Sequence, residues 1–279
     1  MATRRTSAVT QWELGGMNHR TGGALAGRAA LVTGATRLAG IGAATCRALA
    51  MRGADVAFTH WGPYDAGFPW AGGLDDPQRL AAELAELGVR ALAVEADLSR
   101  PAAPGQVLDA VSEGLGPLSI LVNNAAHSVN DGWEALDAAT LDAHYAVNVR
   151  AGALLSTEFA RRFVGGDGGR IVNLTSGQGR GPMPGELAYA ASKGAMEALT
   201  VSLSPVLMAH GITVNAVNPG PTDTGWISPE LAAELSPKFP SGRIGRPEDA
   251  ARLIAWLCTD EAAWVTGQII NSEGGFLRQ

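Results

Sequence analysis

Tyr189 and Lys193 stand four residues apart in Tyr189-Ala-Ala-Ser-Lys193, a spacing that puts both side chains on one face of a helix. A free phenol titrates at about 10 and a free ammonium at about 10.4. A neighbouring ammonium favours the phenolate and so lowers the tyrosine pKa toward working pH. Such a tyrosine gives a proton to a carbonyl oxygen as hydride arrives, or takes one from an alcohol in reverse. Ser176 closes a predicted strand thirteen residues earlier, at the edge where open α/β sheets place ligands, and its hydroxyl is positioned to hold a substrate oxygen. Asn148 lies inside the apolar helical pattern Thr140–Phe163. Asn is a poor mid-helix residue because its amide competes for backbone groups, so a local kink or a function is expected there.

A second constellation is the glycine turn Thr33-Gly34-Ala35-Thr36-Arg37-Leu38-Ala39-Gly40-Ile41-Gly42, set between the first predicted strand and the first predicted helix. Glycines allow positive φ and close backbone approach, so amides and a helix N-terminus can meet a pyrophosphate. The spacing departs from Gly-x-Gly-x-x-Gly.

These residues and their order resemble the short-chain dehydrogenase/reductase family. The glycine turn is similar to that family's Thr-Gly-x-x-x-Gly-x-Gly, with two residues added before Gly40. Ala96-Asp97-Leu98 looks like its segment after strand three, where the Asp meets adenine. Asn123-Asn124-Ala125-Ala126 looks like its Asn-Asn-Ala-Gly, with Ala126 in place of Gly. Asn218-Pro219-Gly220-Pro221-Thr222-Asp223-Thr224 is similar to the segment that closes on the nicotinamide amide, and Thr266-Gly267-Gln268 with Glu273-Gly274-Gly275 to the final strand. The resemblance spans roughly residues 27 to 276. It implies a nicotinamide cofactor and a catalytic set of Asn148, Ser176, Tyr189 and Lys193, in which Lys193 also holds the nicotinamide ribose and Asn148 holds a water leading to solvent. It implies that Gly34, Arg37, Gly40, Ile41, Gly42, Thr59, Asp97, Leu98, Asn124, Ala125, Pro219, Gly220, Thr222 and Thr224, with Tyr189 and Lys193, bind that cofactor. Some enoyl reductases also lengthen the turn, but their Tyr and Lys lie wider apart, so the spacing here favours carbonyl/alcohol chemistry. The resemblance further implies a homotetramer paired through the helices of Asn148 and Tyr189.

The cofactor expectation is NADP(H), with NAD(H) still possible. A carboxylate at the end of strand two would hold a ribose 2′-hydroxyl and repel a 2′-phosphate. That end reads Phe58-Thr59-His60-Trp61, and Asp65 comes only further along the loop. Arg37, in the glycine turn, offers a guanidinium to a phosphate.

The elements that must position these groups alternate along the chain. Apolar runs at Ala29–Thr33, Asp55–Thr59, Arg90–Glu95, Ile120–Asn123, Arg170–Thr175, Thr213–Val217 and Gln268–Asn271 predict strands. Helical patterns at Ile41–Arg52, Gln78–Leu87, Pro104–Glu113, Thr140–Phe163, Ala188–His210 and Pro247–Cys258 separate them. Such alternation predicts one doubly wound, Rossmann-like α/β domain over 27–279, its parallel sheet covered on both faces. Residues 1–26 are expected to be a flexible extension. Two long loops interrupt the rhythm, Trp61–Pro77 and Pro219–Pro247. The aromatics of the first, Trp61, Tyr64, Phe68 and Trp70, are read mainly as a packed cover or subunit contact. His127, Arg180, Met183, Glu186 and Trp226 are candidate pocket-wall residues.

Composition narrows the function classes. The chain has 279 residues, 46% hydrophobic and 17% charged, with a net charge of −6, which suits a core-forming globular protein and does not favour phosphate-backbone binding to nucleic acid. Cys46 and Cys258 stand alone in apolar helical patterns and are read as reduced and buried rather than as a disulfide or a metal site. No apolar run reaches membrane-span length, and Arg4-Arg5 lacks a following apolar core, so a cytoplasmic protein acting on a small carbonyl or alcohol is the expectation. Reduction of an imine or another specialised metabolite, and a dinucleotide sensor without turnover, are the alternatives.

Overall fold

The short run Ala29–Val32 forms β1, buried along its whole length, with Ala30 and Val32 on one face of the sheet and Ala29 and Leu31 on the other. Continuous apolarity of this kind is what a strand covered on both faces requires. β2 (Asp55–His60), β3 (Ala91–Glu95), β4 (Ile120–Asn123), β5 (Gly169–Leu174), β6 (Ile212–Asn218) and β7 (Ile269–Asn271) complete a sheet of order β3-β2-β1-β4-β5-β6-β7. Every pairing is parallel. The order reverses between β1 and β4, and ligands of open α/β sheets sit at the carboxyl ends of the strands at that switch point.

Our computed structural model describes residues 23–278. Helices α1 (Ile41–Ala50), α3 (Asp76–Glu86) and α9 (Pro247–Leu257) cover one face, over a core that includes Leu49, Phe58, Leu80 and Ile254. Helices α4 (Ala103–Leu115), α6 (Gly152–Arg162) and α7 (Leu187–Met208) cover the other, over Leu108, Leu121, Leu155, Phe159 and Ile171. Cys46 and Cys258 are buried and free, and burial pushes both thiols up, that of Cys258 to about 12. No helix of the described residues is long and apolar enough to cross a membrane.

Three expectations need correction. The helix over Thr140–Phe163 is interrupted: α5 (Ala138–His144) passes into a π-helical turn, Tyr145–Ala151, before α6 begins. Such wide turns free backbone and side-chain groups for other partners, and the side chain of Asn148 sits in this one. The long loops contain helices of their own, the single turn α2 (Gly62–Asp65) and α8 (Pro229–Leu235), the latter capped by Ser228, whose Oγ accepts from Leu231 N. The extension expected over 1–26 begins to fold before its end. Leu25 is fully buried in the core and its N–H donates to Arg52 O at 2.8 Å. The remainder of that stretch, 1–22, lies outside the described residues.

Candidate active site

Helix α7 carries Tyr189 and Lys193, and the fold holds its first turn from two sides. Asp131, in the loop after β4, accepts from Leu187 N at 2.6 Å and from Ala188 N at 2.9 Å, while its own N–H donates to Gly185 O at 2.8 Å. A carboxylate on free helix amides, with the dipole behind them, fixes where that turn begins. On the second side Lys193 Nζ donates to Leu174 O, the last residue of β5, at 2.9 Å. Lys193 is 3% exposed and its Nζ stands 5.4 Å from the centroid of the Tyr189 ring. Ser176, two residues beyond β5, lines the same cleft.

Burial sets the proton affinities here. The Tyr189 phenol is pushed up to about 12, first by desolvation and then by the Glu186 carboxylate, with the Ser176 hydroxyl pulling the other way. The Lys193 ammonium is pushed down to about 8 by desolvation. The sequence-based expectation of a lowered tyrosine pKa is therefore reversed: both groups are driven toward their neutral forms, because removing each from water outweighs their mutual attraction.

Asn148 supports this pair from below. Its Oδ1 accepts from His127 N at 2.7 Å, and its Nδ2 donates to His127 O at 2.9 Å and to Ser192 Oγ at 2.9 Å. Ser192 Oγ in turn donates to Tyr189 O at 2.7 Å. Asn148, Lys193 and Leu174 also line a small inner cavity of about 10 Å³, at the lower limit for one water.

The cleft has a volume of about 1310 Å³ and runs from the glycine turn to Tyr189 and Thr224. It is lined by all the residues expected to bind cofactor: Gly34, Arg37, Gly40, Ile41, Gly42, Thr59, Asp97, Leu98, Asn124, Ala125, Tyr189, Lys193, Pro219, Gly220, Thr222 and Thr224. Several of them hold the cleft itself. Thr59 Oγ1 accepts from Gly34 N at 3.0 Å, and Asn124 Nδ2 donates to the carbonyls of Thr33 and Gly34, each at 2.8 Å. Thr33, absent from the sequence-based set, accepts on its hydroxyl from Asn124 N and Ala125 N, both at 3.0 Å, and so ties the end of β1 to the end of β4.

The cradle fits a dinucleotide. Gly34 has φ +73°, and a Cβ there would stand 2.6 Å from Ala125 Cα; one on Gly42 would stand 2.5 Å from Gly34 O. Both positions therefore require glycine and leave backbone amides uncovered. Helix α1 starts behind Gly40 with no side-chain cap and no acidic residue in its first turn, which leaves its N-terminal amides and dipole to an anion. Among the described residues no group of His, Cys, Asp and Glu is clustered as a metal site.

Two features singled out in the sequence turn out to be in contact. The lengthened turn and the aromatic loop are joined by Trp61 N donating to Thr36 Oγ1 at 3.2 Å, by Leu38 N donating to Asp76 Oδ2 at 3.2 Å, and by an Arg37 Nε–Asp65 Oδ1 ion pair at 3.2 Å. Asp65 is thus brought back to the cleft by α2, although strand two itself ends without a carboxylate. Arg37 also donates to Thr224 O at 3.3 Å. Trp61, Tyr64, Phe68 and Trp70 line the cleft rather than only covering the surface. The Tyr64 hydroxyl accepts from Ser128 N at 2.8 Å and donates to Ser128 O at 3.2 Å, which carries the loop across to the reactive side. Of the expected wall residues, His127, Met183, Glu186 and Trp226 line the cleft; Arg180 does not, and reaches 4.0 Å from Glu273 instead. Arg278, paired with Glu273 at 2.8 Å, was not anticipated and stands in the lining.

The chain is similar to known proteins over most of its length. A family model described as enoyl-(acyl carrier protein) reductase matches residues 34–277. The uncharacterized oxidoreductase YjdA of Bacillus subtilis is 54% identical over 251 residues, covering 89% of this chain and 96% of that protein. A short-chain dehydrogenase/reductase from Serratia marcescens superposes with a TM-score of 0.79 at 35% identity, covering 90% of this chain and 99% of that one. A blue fluorescent protein from a metagenomic library, solved in complex with NADPH, superposes with a TM-score of 0.81 at 34% identity, covering 90% and 98%.

Proposed function

From the membership of this chain in the short-chain dehydrogenase/reductase family, we propose that it is an NADP(H)-dependent carbonyl reductase, or alcohol dehydrogenase in the reverse direction, acting on a small molecule. One observation carries the reading: a half-buried Tyr189 phenol and a buried Lys193 ammonium stand together on α7, near Ser176, at the carboxyl edge of the sheet and in a cleft that also holds a glycine cradle.

A nicotinamide dinucleotide supplies or accepts the hydride when bound, and the residues around Gly34, Ile41, Asp97, Asn124 and Thr222 hold it. The chain's own groups do the rest. The Ser176 hydroxyl donates to the carbonyl oxygen and orients it. Tyr189, held protonated by burial, releases its proton to that oxygen as it becomes an alkoxide, which is more basic than a phenolate. Lys193 stabilises the phenolate so formed, an attraction strengthened by the same exclusion of water that costs it in the resting state. Asn148 holds Ser192 and the His127 backbone, and so the floor under the pair. The four-residue spacing of Tyr189 and Lys193 supports carbonyl chemistry over enoyl reduction.

The choice of NADP(H) is supported by Arg37 in the turn and by the NADPH carried by one structural neighbour; the ion pair to Asp65 opposes it in part. A tetramer is supported by exposed apolar side chains on α6 and α7, Leu154, Val201 and Val206, and light scattering at micromolar concentration tests it. For the reaction, a panel of ketones is offered with NADPH to the wild type and to Tyr189→Phe. The variant is expected to lose about 10²–10⁴ in kcat and to keep dinucleotide binding, read by cofactor fluorescence. Wild-type kcat in the variant overturns the mechanism, and dinucleotide binding with no turnover of any carbonyl favours a sensor.

A further inference from the structure

Glu186 is a carboxylate with nothing to hold. It stands at the N-cap of α7, three residues before Tyr189, and lines the cleft. Among the described residues its side chain makes no capping bond and receives no hydrogen bond or cation. Charged side chains that lose water almost always find a partner, and the other acidic groups that line this cleft have one: Asp65 has Arg37, and Asp97 has the amide of Ser99 at 2.9 Å. No group acting on Glu186 is bonded to it. Asp131 adds negative charge; His144 acts the other way, but its ring nitrogens are engaged with Thr140 O at 2.8 Å and Val129 N at 3.4 Å.

The same cleft carries an aromatic wall. From the loop after β2, the rings of Tyr64, Phe68 and Trp70 form a continuous series, 5.1 Å between successive centroids for Tyr64–Phe68 and for Phe68–Trp70. Tyr64 continues to His127 at 5.3 Å, His127 to His144 at 4.7 Å, and His144 to Tyr189 at 6.4 Å. A lone carboxylate and a series of aromatic faces lining one cleft are the groups that recognise an organic ammonium, through its charge and through the ring quadrupoles.

We propose that Glu186 and the wall of Tyr64, Phe68 and Trp70 form a specificity subsite for substrates that carry a protonated amine close to the carbonyl that is reduced. This rests on the carbonyl-reductase reading above and names its substrate class. It also couples recognition to chemistry: an ammonium on Glu186 neutralises a charge that holds the Tyr189 proton in place, so the right substrate makes its own acid stronger.

Binding separates this inference from the reaction. Benzylamine and benzyl alcohol, of nearly equal shape, are titrated calorimetrically into the full-length protein with and without NADP⁺ at neutral pH. The amine is expected to bind at least about tenfold more tightly. Glu186→Gln, checked for an undisturbed melting temperature, should shrink that ratio to about threefold or less, and Glu186→Asp should restore part of it. Phe68→Ala should weaken the amine more than the alcohol. Equal affinities in the wild type, or a ratio unmoved by Glu186→Gln, overturn the subsite. Ketone turnover without amine preference sinks the subsite alone, whereas amine preference without turnover of any carbonyl leaves the subsite standing and sinks the reaction assigned above.

Discussion

The polar groups beneath Tyr189 and those around the mouth of the cleft differ in charge, in burial and in what can displace them. Beneath, Asn123 Nδ2 donates to Ser156 Oγ at 3.0 Å and to Asn173 Oδ1 at 2.8 Å, and Asn173 Nδ2 donates to Thr200 Oγ1 at 2.9 Å. These side chains are neutral and buried, and they bridge β4, β5, α6 and α7. Around the mouth, Arg37 pairs with Asp65, and Arg278 with Glu273. A neutral network out of water has no competitor and holds one geometry; an ion pair in the mouth of a cleft can exchange its partner for a charged ligand. The floor fixes where chemistry happens, and the rim holds charges in reserve.

The largest expected effect breaks the floor. Asn123→Ala removes the donor for both Ser156 and Asn173. A buried polar group left without a partner costs about 1–3 kcal/mol, so stability should fall by about 3 kcal/mol, with a drop in Tm of about 2–4 °C per kcal/mol. The loss should be the same in low and high salt, because no charge is involved. A Tm within about 2 °C of wild type would show that the network is not rigid.

Lys193 is the one charged member of the floor, and pH exposes its cost. Its folded pKa is about 8 against 10.5 for a free lysine side chain. Between those values the unfolded chain holds a proton that the folded chain has released, so stability rises with pH across that window. Tyr189 acts oppositely but higher, since its folded pKa is about 12 against 10.0 and stability falls only above 10. Urea unfolding at pH 7 and 9.5 should therefore show the wild type gaining about 2 kcal/mol relative to Lys193→Met. No relative gain would mean that the ammonium keeps its water.

How far sequence reached follows the same division. The strands announced themselves as apolar runs, and the family resemblance marked a candidate cofactor set of sixteen residues that all line one cleft. Asn148 signalled an irregular helix by being the wrong residue for its place, though nothing local specified a π-helical turn. Ser228-Pro229 carried an ordinary N-terminal signature for α8 but sat inside a stretch read as one loop. Leu25 was hidden because a single apolar residue among Thr, Gly and Arg has no period. The rim was least legible. Arg37–Asp65 and Arg278–Glu273 depend on how loops fold back, and the reversed Tyr189 pKa depends on burial that a spacing rule does not contain.

The rim predictions come next in size. Arg37→Ala should lower the ratio of kcat/KM for NADPH over NADH by tenfold or more, tenfold being about 1.4 kcal/mol. The contact is charge-based, so the ratio should also narrow as salt rises. If the ratio is untouched by the substitution, the guanidinium serves only to bind Asp65 and Thr224 O, and the rim is as fixed as the floor.

The smallest effect is also the sharpest test of the comparison. Asp65 lies 3.2 Å from Arg37, with the two side chains 15% and 24% exposed, so it competes with any phosphate for the guanidinium and repels that phosphate directly. A partly exposed pair of this kind is worth only about 0.2–1 kcal/mol, which is why a ligand can break it. Asp65→Asn removes both the competition and the repulsion while keeping the side chain's size. It should raise kcat/KM for NADPH by about threefold, alter the value for NADH less, and move Tm by no more than about 2 °C, in line with the small worth of the pair. The double variant Arg37→Ala/Asp65→Asn should show a smaller NADPH gain over Arg37→Ala alone, only the part due to direct repulsion; a full threefold gain there would mean that competition for the arginine contributes nothing. A loss of NADPH activity in Asp65→Asn would mean that the carboxylate positions Arg37 for the phosphate rather than competing for it, and the distinction between a fixed floor and an exchangeable rim would fail at this pair.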